Sequence, residues 1–196
     1  PHTELGAAWV DTQIDSINGV REWFAEYLET ENQKVHQFGQ DEEYKGMGTT
    51  LEALAIIGNQ AIYAHVGDSR IGLVRGDSYR QLTSDHSFVN ELLKAGQITP
   101  EEAERHPQRN IITQSIGQRG EVQPDVGMIS LEDDDYIILN SDGLSNMISE
   151  SEIYDIMTSD IALSEKAETL IRFANNAGGL DNITVALVHY HKEDAE

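Results

Sequence analysis

The chain has 196 residues, enough for one domain with a sizeable core, and it carries a formal net charge of -22 and no Cys. This charge argues against nucleic acids and anionic membrane surfaces as partners, because both are bound through clustered Lys and Arg. The lack of Cys excludes disulfides, thiolate zinc sites and a cysteine nucleophile in this chain.

The first predicted element is a long helix at residues 16–38. Its apolar residues form one stripe with charged residues opposite, and they are Val20, Trp23, Phe24, Tyr27 and Leu28. Such a stripe with a helical period is typical of a helix that packs on a core.

Four closely spaced strands follow, at about 49–57, 61–66, 71–74 and 79–82. Short turns that contain Gly separate them, at Gly58-Asn59, Gly67-Asp68 and Gly76-Asp77. Connections this short predict an antiparallel meander.

Residues 87–112 interrupt the strands with two predicted short helices. The first ends at Gly96, and Thr99 and Pro100 provide the N-cap and the first helical position of the second. The insertion carries a local basic cluster in a very acidic chain, namely Lys94, Arg105, His106 and Arg109.

Two further strands are predicted at 126–131 and 136–140, joined by Glu132-Asp-Asp-Asp135. These acids lack the spacing and the central Gly of a calcium-binding EF-hand, so we expect a solvated hairpin turn. The capping box Ser149-Glu-Ser-Glu152 then opens a helix to about residue 158.

The last predicted elements are a helix at 164–177, which Gly178-Gly179 ends, and a strand at 183–190. Strands lie in the middle of the chain, and helices lie on either side. This order predicts an α+β fold in which two antiparallel sheets pack face to face with helices outside.

Three aspartates occupy glycine-containing bends at the ends of apolar strands, and they are Asp68, Asp142 and Asp181. A carboxylate at such a position requires a cation or hydrogen-bond donors. If the strands are neighbours, the like charges meet and a bound metal ion would balance them. Without Cys, this pattern points to an oxygen-ligand site for Mg²⁺ or Mn²⁺.

Five short motifs occur in a fixed order: Gly46-Met-Gly-Thr-Thr50, Gly67-Asp-Ser-Arg70, Leu82-Thr-Ser-Asp-His-Ser87, Ser141-Asp-Gly-Leu144 and Asp181-Asn-Ile-Thr-Val185. Together they resemble the bacterial branch of the metal-dependent Ser/Thr protein phosphatases of type 2C, the PPM family, from about residue 46 to residue 188. The resemblance implies a four-layer α-β-β-α sandwich and one catalytic domain over residues 1–196.

The resemblance also implies the reaction. Phosphoserine and phosphothreonine in proteins would be hydrolysed by metal-activated water, with two or three Mn²⁺ or Mg²⁺ ions and no catalytic side chain beyond that water. By the same resemblance Asp142 and Asp181 bind the first metal, and Asp68 joins Asp142 at a third, weaker site. Asn182 would fix the turn that aims Asp181.

For residues 87–112 the resemblance implies a mobile flap that hinges at Gly96. Arg105 and Arg109 would then approach the phosphorylated substrate, whereas the alternative is a surface helix pair that balances neighbouring acids. Asp85 and His86 are expected either to support the flap or to start its first helix.

One part of the family pattern is absent. The family opens with a strand that bears an Arg and Asn-Gln-Asp, followed by Asp-Gly-Met-Gly-Gly-His, whereas here Lys45 precedes Gly46-Met-Gly48 and two threonines follow. We therefore expect an N-terminally incomplete catalytic domain that lacks a bridging metal ligand and the phosphate-binding Arg. A non-catalytic binding or regulatory module of the same fold is the second hypothesis.

The expected partners are phosphorylated proteins and a cognate Ser/Thr protein kinase, in a signalling role that the resemblance implies. No apolar run reaches the ~18 residues that span a bilayer, and the lack of Cys fits a reducing compartment. The expected location is the cytoplasm.

Overall fold

The first helix, α1 (Ile17–Phe38), has the predicted amphipathic character. The computed structural model describes residues 17–192, so Ser16, where the sequence starts this helix, lies outside the described residues. Val20, Phe24 and Leu28 lie one turn apart and are buried, and they pack on residues of the first sheet. The prediction of a core-packing stripe is confirmed.

The described residues contain seven strands in two antiparallel sheets. The first sheet has the order β1-β2-β5, with β1 (Leu51–Ile57), β2 (Gln60–Val66) and β5 (Asp125–Ser130). The second has the order β4-β3-β6-β7, with β3 (Arg70–Arg75), β4 (Ser78–Gln81), β6 (Asp135–Asn140) and β7 (Val185–Tyr190).

The remaining helices are α2 (Phe88–Lys94), α3 (Pro100–Glu104), α4 (Asp142–Ser145), α5 (Glu150–Thr158) and α6 (Leu163–Asn176), with a single 3₁₀ turn at Glu42–Tyr44. The helix α1 covers the first sheet, whereas α5 and α6 pack on the second. A third apolar cluster, which includes Ala61, Ile71 and Ile137, fills the space between the sheets. The four-layer α-β-β-α sandwich is thereby confirmed. Within residues 17–192 no helix is both long enough and apolar enough to cross a bilayer.

The predicted meander of four strands is wrong. The chain leaves the first sheet after β2 and enters the second at β3, which pairs with β4 and β6. Ile71 and Leu73 face the space between the sheets, whereas Val74 packs under α5 and α6. Because the chain crosses to the second sheet, the inner faces of β2 and β3 pack against each other, and Ala61, Ile71 and Leu73 are buried between the sheets.

The predicted hairpin turn at 132–135 is also wrong, because this segment crosses from one sheet to the other. Asp135 is 1% exposed and accepts hydrogen bonds from Arg75 Nε at 2.9 Å and Nη2 at 2.6 Å. Arg75 also donates to Ser130 O at 2.7 Å and to Glu132 Oε1 at 2.6 Å. The acidic segment therefore binds Arg75, and these contacts tie the crossover between the sheets to β3.

The predicted helix boundaries agree closely with the structure. Thr99 and Ser149 both form complete capping boxes, and Pro100 stands at the start of α3. Gly96 ends the first helix of the insertion with a φ of 66°. Assignment of residues 1–196 to one domain includes the two ends outside the described residues and stays a prediction.

Candidate metal centre

The pairing of three strands places the aspartates at one end of the second sheet. In the register of this sheet Arg70 lies opposite Asn140, and Asn140 lies opposite Val185. Asp68 precedes β3, Asp142 follows β6 and Asp181 precedes β7, so all three reach the same end of the sheet. Their role as metal ligands stays a prediction.

The segments that carry Asp142 and Asp181 are joined by a hydrogen-bonded contact at Ser141. Its hydroxyl donates to Asn182 O and accepts from Thr184 N, both at 3.0 Å, and its own N–H donates to Thr184 O at 3.1 Å. Asp142 is the next residue and opens α4. The position of one aspartate is therefore fixed relative to the turn that holds the other.

Asn182 lies in the turn, as the sequence analysis expected, but its contacts run through its backbone. Its N–H donates to Asp181 Oδ1 at 2.7 Å, and its carbonyl accepts the Ser141 hydroxyl. A side chain that the sequence analysis did not identify, Asn146, donates from Nδ2 to Asp142 Oδ2 at 3.2 Å. Its position four residues after Asp142 in a helical segment was the available signal.

The loop of Asp68 is held from two sides. Gly67 has a φ of 121°, and a Cβ there would lie 2.4 Å from Cγ2 of Thr50, whose hydroxyl contacts the Ser69 hydroxyl at 2.9 Å. On the other side His86 N donates to Gly67 O at 2.7 Å, and Gly67 N donates to Nδ1 of His86 at 3.2 Å. Residues from three of the five motifs thus meet at this loop.

The electrostatics of the centre are unfavourable for three carboxylates alone. Burial raises the pKa of Asp68 to about 6, and the charge of Asp142 adds to the effect. Burial also raises the pKa of Asp142, with a further contribution from the charge of Asp181. Raised pKa values mean that the ionised carboxylates are destabilised at this end of the sheet, and a divalent cation would reverse the effect.

Asp85 differs from these three because the protein supplies its cation. Arg70 donates to it from Nε at 3.1 Å and from Nη2 at 2.8 Å, and Gln81 Nε2 donates to it at 2.8 Å. Within residues 17–192, Asp68, Asp142 and Asp181 have no ion pair with Lys, Arg or His. The unpaired set consists of oxygen donors only, and such a set suits Mg²⁺ or Mn²⁺.

Asp85 and His86 were expected either to support the insertion or to start its first helix, and neither residue is the N-cap of that helix. The N-cap of α2 is Ser87, whose hydroxyl accepts from Asn90 N at 3.4 Å. Asp85 joins the root of the insertion to β3 through Arg70, and His86 joins it to the Asp68 loop. His65, in the middle of β2, is 0% exposed, and its Nδ1 lies 3.2 Å from Glu52 Oε1.

The two ends of the insertion, which we call its root, are joined by hydrogen bonds, whereas its middle carries exposed side chains. Phe88 N donates to Ile111 O at 2.9 Å, and Thr113 N donates to His86 O at 2.8 Å. Arg105 and Arg109 are exposed, and neither forms an ion pair with another residue in the described range. A surface cavity of about 450 Å³ lies on α3, lined by Ile98, Glu101, Glu102, Arg105, His106 and Pro107.

The family model described as protein phosphatase 2C matches residues 5–177. Protein phosphatase PhpP of Streptococcus pneumoniae is 76% identical over 194 residues, which cover 99% of this chain and 79% of that protein.

Two solved structures show how far the similarity extends in three dimensions. The serine/threonine phosphatase of S. agalactiae is 56% identical with a TM-score of 0.90, and the match covers 94% of this chain and 76% of that one. The catalytic domain of the phosphatase PstP, in complex with two manganese ions, is 36% identical with a TM-score of 0.71. That match covers 81% of this chain and 65% of that one.

Proposed function

Since this chain belongs to the protein phosphatase 2C family of metal-dependent Ser/Thr protein phosphatases, we propose that it removes phosphate from phosphoserine and phosphothreonine of other proteins. The observation that carries the proposal is the convergence of Asp68, Asp142 and Asp181 on one end of the second sheet, where none of the three forms an ion pair with a Lys, Arg or His of residues 17–192. These oxygen ligands suit Mg²⁺ or Mn²⁺, which agrees with membership of a metal-dependent family.

Asp142 is the central residue of the proposed centre. Its charge acts on Asp68, and the charge of Asp181 acts on it. The carboxylate oxygens of Asp68, Asp142 and Asp181 do not all lie within 4.8 Å of one another, a separation that one other group in residues 17–192 does meet. These relations favour at least two ions that share Asp142, one with Asp181 and one with Asp68, over a single ion held by all three.

The residues of this chain would hold the metal ions and keep the ligands in position. We assign none of them the role of covalent nucleophile. Asp142 and Asp181 would hold one ion, Asp68 would contribute to another, and the Asn182 backbone keeps Asp181 in place. When bound, two or three Mn²⁺ or Mg²⁺ ions supply an activated water and positive charge toward the phosphoryl oxygens. The PstP structure with two manganese ions supports this cofactor assignment.

The proposal is tested by hydrolysis of a phosphothreonine peptide by the full-length protein. We expect activity with Mn²⁺ or Mg²⁺, loss of activity after EDTA and no effect of thiol reagents, because none of the proposed metal ligands is a Cys. Activity that persists in buffer stripped of metal would contradict it. Binding of the phosphopeptide without hydrolysis in Mn²⁺ would favour the second hypothesis, a non-catalytic binding or regulatory module.

We further propose that residues 87–112 guide protein substrates to the centre. The support is the exposure of Arg105 and Arg109, the cavity beside Arg105, and the fixed root that joins the insertion to the Asp68 loop. In the surface-helix alternative, neither Arg105 nor Arg109 contacts the substrate.

Replacing both Arg105 and Arg109 with Ala should lower kcat/KM for a phosphoprotein several-fold. Exposed basic contacts contribute about 1 kcal/mol or less each, so a larger loss is not expected. Hydrolysis of p-nitrophenyl phosphate should change much less, because a small substrate reaches the centre without the insertion. Equal losses on both substrates would assign the segment to support of the centre, and no loss on either would favour the surface-helix alternative.

Family membership alone motivates our proposal for the partners and the location. We propose that the substrates are phosphorylated by a cognate Ser/Thr protein kinase and that both proteins act in the cytoplasm. Dephosphorylation in vitro of proteins modified by the kinase from the same cell is the direct measurement.

A further inference from the structure

A second group of metal-binding side chains lies at the opposite end of the second sheet. One ligand atom from each of Asp134, His189 and His191 lies within 4.8 Å of the others, the one such group in residues 17–192. We call it the histidine cluster. At about 3.3 Å per strand residue, the length of β6 puts it on the order of 20 Å from Asp142.

The pairing of β6 with β7 builds this cluster. Tyr136 lies opposite His189 and Asp135 lies opposite Tyr190, and one step beyond, Asp134 N donates to Tyr190 O at 3.0 Å. His189 and His191 are two residues apart, so their side chains emerge on the same side of the extended chain. Asp134 has a φ of 71°, in the left-handed region that Asp adopts more readily than most residues.

The side chains are already arranged around a common point. The ring of His189 stacks on Tyr136 with centroids 3.9 Å apart, and its Nε2 lies 2.8 Å from Asp134 Oδ1. The ring of His191 meets that of His189 edge-on at 3.9 Å, and its Nδ1 lies 3.9 Å from Asp134 Oδ1. Asp133 accepts from Lys192 N at 2.9 Å, which holds the chain just after His191.

We propose that the histidine cluster binds a late first-row divalent metal ion, with Zn²⁺ as the representative. A tetrahedral ion with bonds of about 2.0–2.1 Å separates its ligand atoms by roughly 3.3 Å, and the distances of 2.8 and 3.9 Å in the cluster lie on either side of that value. Two imidazoles with one carboxylate favour Zn²⁺, Ni²⁺ or Cu²⁺, whereas Mg²⁺ prefers oxygen ligands alone. The two ends of one sheet would therefore select different metals.

The simpler interpretation is a set of surface ion pairs without a metal. The side chains of His189, His191 and Asp134 are 22%, 65% and 76% exposed, so each could be solvated instead. That interpretation explains the contact of each imidazole with Asp134. Nδ1 of His191 also lies 3.7 Å from Asp133 Oδ1, within reach of a second ion pair. Separate ion pairs do not require one donor atom from each of Asp134, His189 and His191 to lie within 4.8 Å of the others, whereas a shared ion does.

A metal at this position would cross-link the end of β7 to the segment before β6. The strand β7 lies at the edge of the second sheet, and residue 181 stands just before it. An ion bound by Asp134 and both histidines would fasten the last residues of β7 to the crossover that precedes β6. An ion that binds only the folded chain stabilises it by mass action.

The experiment is a Zn²⁺ titration of the full-length protein without an added histidine tag, in excess Mg²⁺ so that the oxygen-ligand centre is occupied. We expect the wild-type protein to bind one equivalent of Zn²⁺ more than His191→Ala does. The matched control is His106→Ala, which removes an imidazole far along the chain and should bind as much Zn²⁺ as the wild type. His191 is well exposed, so its removal should leave folding and Mg²⁺-dependent activity unchanged.

Two additional measurements keep the test decisive. Zn²⁺ should raise the thermal midpoint of the wild-type protein and of His106→Ala, and should raise it less in His191→Ala and in Asp134→Asn. In histidine-selective NMR spectra, Zn²⁺ should shift the ring signals of His189 and His191 together. Equal Zn²⁺ stoichiometry in the wild type and His191→Ala, or ring shifts confined to other histidines, would overturn the proposal. Loss of phosphatase activity has no bearing on it, because these readouts measure metal binding alone.

Discussion

Replacing Asp142 with Ala should lower kcat/KM for a phosphothreonine peptide by about three orders of magnitude, equivalent to roughly 4 kcal/mol of transition-state stabilisation. The effect is large because this carboxylate is proposed to hold more than one ion, so its loss would weaken two cation sites at once. The measurement is steady-state hydrolysis at saturating Mn²⁺, together with the number of Mn²⁺ ions bound per chain.

A suitable control for that variant is Asp155→Ala, which removes an exposed carboxylate from α5 and should leave both quantities unchanged. The isosteric variant Asp142→Asn distinguishes charge from shape and should resemble Asp142→Ala. Near wild-type turnover in Asp142→Ala at saturating Mn²⁺ would remove this residue from the centre and with it the proposed arrangement of ions.

Replacing Gly143 with Ala should destabilise the protein and reduce its activity together. A Cβ at this position would lie 2.3 Å from the carbonyl oxygen of Asn182, so the turn that carries Asp181 must move away from Asp142. Overpacking of this kind typically costs about 1–3 kcal/mol. We expect a lower thermal midpoint in the metal-free protein and weaker binding of Mn²⁺.

Gly39→Ala provides the comparison for this substitution, because the nearest atoms to its added Cβ lie at 3.5 Å and are ordinary contacts. It should leave the thermal midpoint and Mn²⁺ affinity close to those of the wild type. An unchanged midpoint in Gly143→Ala would mean that the turn adapts without moving Asp181. Reduced stability with full Mn²⁺ affinity would separate the packing role of Gly143 from the metal centre.

The sequence by itself determined those features that depend on neighbouring residues. The capping boxes at Thr99 and Ser149 and the helix end at Gly178-Gly179 were predicted because caps and left-handed glycines act within one helical turn. The stripe on α1 was predictable for a similar reason, since a period of 3.6 residues directly marks the face that is buried. The three aspartates were identified from their place at the ends of apolar strands.

Only the tertiary structure decided which strands are neighbours. An alternating or apolar run shows that a strand is buried but does not show its partner, so two strands joined by a short turn looked like a hairpin. The bend at Gly67-Asp68 instead passes from one sheet to the other, and so does the acidic segment after β5.

The same limit applies to pairs of distant side chains. The ion pair of Arg70 with Asp85, the anchor of Arg75 on Asp135 and the histidine cluster join residues 15 to 60 positions apart in the chain. Each depends on sheet order and register, because a shift of one residue would turn every side chain of a strand to the other face. The sequence shows which charged and metal-binding side chains are present, and packing of the two sheets determined which of them meet.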